Sequence, residues 1–465
     1  MSLTRRELFA TAAAGGVAAA ASRKPNIVWI MADDLGIGDL GCYGQKYIQT
    51  PNIDSIATEG MRFTDAYAGC TVCAPSRSTL MTGFHMGHTP IRSNGGGTPI
   101  FENELTAARL LKQAEYATGC FGKWGLGDIN TVGVPWKKGF DEFYGYLHQV
   151  HAHYFYPQYL FHNEKKDMLP GNENGKRTSY SHDFIAEKAL SFIRRNHQQP
   201  FFAYVPFTIP HLELLVPEDS MKPYRGKFEE KPYIDKRRHY ADQPERRACY
   251  AGMVSRMDSD VGRILKLLKE LKVDDNTIVF FTSDNGGATR LWDEEFFSSN
   301  GPFRGHKQNF YEGGIRTPML ARWPGKIKPR SVSSHPWYFC DFLPTAAELA
   351  GSAAPKGIDG ISVVPALTGK KQKQHEHLYW ELPRTEPGNT GNFRKEKPMA
   401  AARIGDWKVI RPAPDAAVEL YNLKDDIGEK RNLATDKPGL ASKYEALLMS
   451  ARTEPRPQKE SPHNY

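Results

Sequence analysis

Runs of β-branched and aromatic residues alternate along this chain with segments whose apolar positions recur at helical spacing. Asn26 to Ala32 is the first such run. It stops at Asp33-Asp34, so it reads as a buried strand delivering two carboxylates at its carboxyl end. After a capping Thr106, residues Ala107, Leu110, Leu111 and Ala114 fall on one helix face, and Tyr116 to Gly122 then predicts a strand ending at Lys123-Trp124. Phe184, Ala189, Phe192 and Ile193 mark one side of a helix from His182 to Asn196, and the strand predicted from Phe201 to Val205 ends before Pro210-His211. Met253, Met257, Val261, Ile264, Leu265, Leu268 and Leu271 share a face of a helix from Ala248 to Leu271. A further buried strand, Thr277 to Thr282, runs into Ser283-Asp284-Asn285-Gly286-Gly287.

This alternation of periods predicts an α/β fold with a mostly parallel central sheet. In open α/β sheets, ligands bind beyond the carboxyl ends of the strands. Asp33, Asp34, Lys123, His211, Asp284 and Asn285 therefore belong to one candidate cleft. Beyond residue 370 the pattern shortens to closely spaced strands at His377–Leu382, Met399–Arg403, Trp407–Arg411 and Val418–Tyr421, with a helix from about Leu440 to Ala451. Three segments follow: 1–21, a catalytic domain over 22–370, and a small antiparallel C-terminal subdomain over 371–465.

Segment 1–21 carries Arg5-Arg6 ahead of a small-residue apolar run that ends in Ala19-Ala20-Ala21. It is too short to span a bilayer and reads as a twin-arginine-like export signal, which places the mature protein in the periplasm or outside a bacterium with no stable membrane anchor. Charged residues make up 25% of the chain, which excludes disorder as its main state. The net charge of +8 comes without a Lys/Arg block, so it points to anionic substrates and not to nucleic acid. Six cysteines (Cys42, Cys70, Cys73, Cys120, Cys249 and Cys340) are too few for a disulfide framework, and none of their spacings fits zinc; at most two pairs could form.

Cys73-Ala74-Pro75-Ser76-Arg77, followed by Ser78-Thr79-Leu80-Met81-Thr82-Gly83, resembles the signature of the type I sulfatases, in which that cysteine is converted to formylglycine. The resemblance extends over nearly the whole mature chain, through Asp33-Asp34-Leu35-Gly36, Thr50-Pro51-Asn52-Ile53-Asp54, Gly122-Lys123-Trp124, Asp284-Asn285-Gly286, Tyr311-Glu312-Gly313-Gly314-Ile315-Arg316 and Leu420-Tyr421-Asn422-Leu423. It implies an alkaline-phosphatase-like large domain with a small C-terminal subdomain, and hydrolysis of sulfate monoesters on a sulfated carbohydrate or other small sulfate ester. It also implies a formylglycine-generating machinery as partner.

The residue chemistry is consistent with that expectation. A hydrated aldehyde at position 73 would carry two hydroxyls on one carbon, one to attack sulfur and one to expel sulfate. The residues after Cys73 should begin a helix, whose N-terminal amides favour an anion. Asp33, Asp34 and Asp284 with the Asn285 amide oxygen make an all-oxygen set suited to Ca²⁺, with Mg²⁺ the second choice and zinc excluded; the resemblance adds Cys73 to the metal's contacts. By resemblance, Arg77 and Lys123 stabilise the hydrate and bind sulfate, while His211 and Lys307 touch sulfate and help protonate the leaving oxygen, with His211 the expected general acid.

One position departs from the family. Many sulfatases read Lys-Trp-His-Leu-Gly, and this chain reads Lys123-Trp124-Gly125-Leu126-Gly127. The missing histidine is the one usually assigned to the proton on the second hydroxyl. We expect a histidine from His148-Gln149-Val150-His151-Ala152-His153-Tyr154, in particular His151 or His153, to occupy the vacated space. Tyr154, Tyr156, Tyr159, Arg290, Trp292 and Arg384 are candidates for sugar contacts. Two other readings are a phosphate- or phosphonate-ester hydrolase of the same superfamily, and a glycan-binding protein that has lost turnover at Gly125.

Overall fold

The computed structural model describes residues 23–95, 97–293, 296–383, 385–386, 389–393 and 397–456. The expected export signal at 1–21 lies outside the described residues, as do Arg384 and the side chain of Arg290.

Ten strands form the central sheet, in the order Ser331–Ser333, Met61–Phe63, Met319–Arg322, Thr277–Ser283, Asn26–Ala32, Phe201–Pro206, Ala117–Lys123, Glu142–Tyr146, Tyr159–His162 and Lys165–Met168. The five from Thr277–Ser283 to Glu142–Tyr146 are mutually parallel, and antiparallel neighbours flank them on both sides. This is the mostly parallel α/β fold read from the sequence.

Asn26–Ala32 is the centre, buried on both faces. Val28, Ile30 and Ala32 pack with Ile185 and Ile193 of the helix Ser181–Asn196 and with Met253, Met257 and Val261 of the helix Arg246–Glu270. Ile27, Trp29 and Met31 face the other way, toward Leu110 and Leu111 of Ala107–Gln113 and Leu343 and Ala346 of Phe342–Leu349. That two-sided burial explains a continuous apolar run where a half-exposed strand would alternate. The Thr106 hydroxyl accepts from the Arg109 N–H and caps its helix, as expected.

A second sheet, Leu378–Leu382, Met399–Ile404, Trp407–Arg411 and Glu419–Asn422, is wholly antiparallel, and the helix Pro438–Ser450 packs on it. It is welded to the large domain through buried polar contacts. The Lys408 ammonium lies 2.7 Å from Glu312 and 2.8 Å from Glu429, all three fully buried, and Glu312 also binds Arg316 and accepts from the Tyr67 hydroxyl. Trp380 donates to the Ala68 carbonyl at 2.9 Å, and Tyr379 packs with Cys70 and Val72. The small sheet thus grips the stretch leading into Cys73.

All six cysteines are free, so neither of the two allowed pairs forms. No helix among the described residues is long and apolar enough to cross a membrane.

Lys408 is one cation shared by two buried carboxylates. Lys408→Met should lower stability by about 3–5 kcal/mol, the usual cost of removing one partner of a buried ion pair. Urea denaturation would show it, and Glu429→Gln added to Lys408→Met should recover part of the loss.

Candidate active site

Four strand ends and one helix build the site. Ala32 and Ser283 are register partners, which sets Asp33 and Asp284 side by side; Phe201–Pro206 leads to His211, and Ala117–Lys123 ends on Lys123 itself. Asp34 takes the left-handed backbone conformation, φ 65°, which aspartate tolerates better than most residues. Its N–H then donates to Asp284 at 3.2 Å.

Cys73 opens the helix Cys73–Thr82 as expected, all ten residues of which are buried, and Gly83 ends it in the left-handed region at φ 74°. The Cys73 side chain lies 3.5 Å from Asp33 Oδ1 and 3.6 Å from Lys307 Nζ. Burial pushes its thiol well above the ordinary range, and the Asp284 and Asp33 carboxylates add to that, so the unmodified side chain is a protonated thiol and a poor nucleophile.

Around it, carboxylates and cations interlock. Arg77, fully buried, holds Asp284 Oδ2 through Nη2 at 2.8 Å and Nε at 3.2 Å, and its Nη1 donates to the Lys123 carbonyl. Lys123 Nζ donates to Asp33 Oδ2 at 2.7 Å, and Lys307 Nζ contacts both Asp34 oxygens at 2.7 and 2.8 Å. Burial opposes charge on both lysines, but the neighbouring acidic groups, led by Asp33 for Lys123 and Asp34 for Lys307, outweigh it and raise both pKa values. Three carboxylates and three cations formally cancel, which makes their joint burial tenable.

Asn285 donates to Asp34 Oδ1 at 2.8 Å, while its own Oδ1 is buried with no hydrogen-bond donor. An orphaned amide oxygen beside Asp33, Asp34 and Asp284 is an acceptor waiting for a cation. Hard oxygen donors of this kind suit a divalent ion of the Ca²⁺ or Mg²⁺ type. The Cys73 sulfur and the His211 ring nitrogen fall in the same compact group as Asp33 and Asp34.

His211 stands 3.4 Å from Asp34 Oδ2 through Nε2. Its pKa lies well below the ordinary value because of burial, reinforced by Lys307 and Lys123. Nδ1 meets the Leu212 carbonyl and Nε2 faces the Asp34 carboxylate, so both ring nitrogens stand against groups that only accept. Lys307, 3.6 Å from the Cys73 sulfur, is a second group within reach that carries a proton.

The expected histidine beside Gly125 is not there. A β-carbon on Gly125 would stand 2.1 Å from Nε2 of Gln149, and Gly125 itself sits at φ 77°. A larger residue here would have to move the Gln149 amide and adopt an unfavourable backbone conformation. Gln149 is 3% exposed, and both polar atoms of its amide lack a protein partner. His151 instead packs between the rings of Tyr146 and Tyr159 at 4.9 and 4.8 Å. His153 does reach the centre: its ring stacks on His211 at 4.8 Å and 17°, and its Nδ1 lies 2.9 Å from His239 Nε2 and 3.3 Å from the Tyr240 hydroxyl.

Gln149 belongs to the loop singled out in the sequence, but a glutamine has no charge or titration to attract notice. His239 and Tyr240 come from a polar stretch with no motif. Asn94, which accepts from the Ala74 N–H at 3.0 Å in the first turn of the Cys73 helix, likewise carries no local signal.

Residues 25–352 match the family described as Sulfatase, and 303–450 match the one described as N-sulphoglucosamine sulphohydrolase, C-terminal. The chain is similar to the N-acetylgalactosamine-6-sulfatase of Canis lupus familiaris, 34% identical over 406 residues, covering 81% of this chain and 72% of that protein. A sulfatase of Formosa agariphila is 30% identical over 510 residues, covering 92% and 88%. Among solved structures, Ps i-CgsB in complex with k-i-k-neocarrahexaose superposes with a TM-score of 0.76 at 29% identity, covering 95% of this chain and 96% of that one.

Gly125→Ala must displace the Gln149 amide and adopt an unfavourable φ. We expect a loss of about 1–3 kcal/mol in urea unfolding and a fall in turnover, whereas Gly→Ala at Gly175, whose added carbon meets nothing, should leave turnover unchanged.

Proposed function

This chain belongs to the sulfatase family of the alkaline-phosphatase superfamily and is a sulfuric ester hydrolase, and we propose that it removes sulfate from a sulfated carbohydrate, using formylglycine made from Cys73 and a bound Ca²⁺ ion. The observation that carries the reading is the placement of Cys73 in the first turn of a buried helix, between Asp33 and Lys307. The carbohydrate class is supported by a relative named N-acetylgalactosamine-6-sulfatase and by a similar structure solved in complex with k-i-k-neocarrahexaose.

Asp33, Asp34, Asp284 and the Asn285 oxygen would hold the cation, which supplies charge neutralisation for sulfate oxygens, while the formylglycine hydrate supplies the attacking hydroxyl. Lys123 and Lys307 bring ammonium groups to the same anion, and the first-turn amides of the Cys73 helix add to that field. Arg77 spans Asp284 and the Lys123 carbonyl, so it fixes the two strand ends relative to each other. Lys307 carries the proton nearest the Cys73 side chain; His211 stands beside it, and an anion bound between the ammoniums favours its protonated form. The Gln149 amide can hydrogen-bond but cannot accept a proton as the family's histidine does. A formylglycine-generating machinery and export through residues 1–21 complete the proposal.

Mass spectrometry of the Cys73 peptide should show a loss of about 18 Da, since thiol becomes aldehyde. Cys73→Ala should release no sulfate from 4-nitrophenyl sulfate. Ca²⁺ should raise the unfolding temperature of the protein, and Asn285→Ala should lose most of that shift. An unmodified thiol in an active enzyme would refute the formylglycine reading.

A further inference from the structure

Gln149 lies between the strand Glu142–Tyr146 and the turn His151–His153, and it is 3% exposed. Its Oε1 and Nε2 are both buried, and neither has a hydrogen-bond partner among the described residues. We infer that this amide binds a pair of neighbouring hydroxyls in the reacting complex, either those of the hydrated side chain at position 73 or those of the sugar ring beside the ester; the inference rests on the sulfatase reading.

A buried donor or acceptor left unpaired costs about 1–3 kcal/mol, so a glutamine is expensive here where an apolar residue of the same length would not be. Such a group calls for a reason, and a ligand that supplies the missing bonds is one.

The surroundings of the amide place it at the ester site. The ladder of the strand Ala117–Lys123 continues for two more bonds, from the Trp124 N–H to the Tyr146 carbonyl at 2.9 Å and from the Gly125 N–H to the Leu147 carbonyl at 3.1 Å. Gly125 is thereby held two residues beyond Lys123, whose ammonium binds Asp33, and a β-carbon on Gly125 would stand 2.1 Å from Gln149 Nε2. The missing side chain at 125 is what gives the amide its room. On the other side of Gln149 the chain turns: the His148 carbonyl accepts from the Ala152 N–H at 3.2 Å, and the Val150 carbonyl from the His153 N–H at 3.1 Å. This turn carries His153 onto His211, which reaches Asp34 at 3.4 Å. Enclosure does not set Gln149 apart from the groups proposed to meet the ester, since Lys123 and Cys73 are each 1% exposed.

Donor and acceptor chemistry selects the ligand. Sulfate oxygens only accept, so a sulfate could satisfy Nε2 and would leave Oε1 unpaired. Two hydroxyls on one carbon, or on adjacent ring carbons, can donate to Oε1 and accept from Nε2 together. They are also uncharged, so they leave the balance of three carboxylates and three cations as it is.

The test replaces Gln149 in the full chain, once as Gln149→Met, which keeps the length without the amide, and once as Gln149→Leu. Urea unfolding and kcat/KM are measured together, on 4-nitrophenyl sulfate and on galactose and N-acetylgalactosamine 4- and 6-sulfates. We expect kcat/KM to fall about tenfold or more while the urea midpoint stays the same or rises, because an unpaired buried amide has been removed. A fall on 4-nitrophenyl sulfate as well as on a sugar sulfate would assign the hydroxyls at position 73, since that ester has no ring hydroxyls. A fall on sugar sulfates alone would assign those of the ring. Unchanged kcat/KM on every ester that is cleaved, or a loss that follows a lowered urea midpoint in both variants, would overturn the inference and leave Gln149 a packing residue. If the unaltered protein cleaves none of these esters, the sulfatase reading fails and the inference fails with it.

Discussion

Mutual neutralisation of buried charge is the constraint on which this site depends. Asp33, Asp34 and Asp284 could not be buried at one sheet edge alone, nor could Arg77, Lys123 and Lys307. Interlocked at 2.7 to 3.6 Å they can, and the strand register that makes Ala32 and Ser283 neighbours is what brings them together. The orphaned oxygen of Asn285 is the one acceptor in this set without a protein donor.

The small C-terminal sheet contributes no group to that network, yet it controls where the network's central member sits. Trp380 binds the Ala68 carbonyl, Tyr379 packs on Cys70 and Val72, and the Lys408 pairs tie the sheet to Glu312 and Glu429. The approach to Cys73 is therefore clamped from a part of the chain more than 300 residues downstream. Preorganisation of this kind matters because small displacements of a reacting group cost much rate.

Much of this was legible in the sequence because it follows from local pattern. The strands reveal themselves as apolar runs, and each run that ends in Asp-Asp, Lys-Trp or Asp-Asn-Gly marks the functional edge of the sheet. The helix expected after Cys73 is likewise present, over Cys73–Thr82. What escaped is set by tertiary contact. Nothing local distinguishes Gln149 from its histidine neighbours as the residue that fills the space at Gly125, because the choice depends on how one loop lies over another strand's end. The same holds for His239 and Tyr240, which reach His153 across more than 80 residues. His211 was visible as a residue, but its lowered pKa comes first from burial, with Lys307 and Lys123, both remote in sequence, adding to it.

Every residue of the helix that begins at Cys73 is buried, and the cysteine itself is 1% exposed. If Cys73 is converted to formylglycine as proposed, an enzyme acting on it would find neither the cysteine nor its helix accessible in the folded chain. Under the proposed conversion, maturation would be a matter of order: the chemistry at position 73 would come before the chain closes, because the folded protein leaves the side chain 1% exposed.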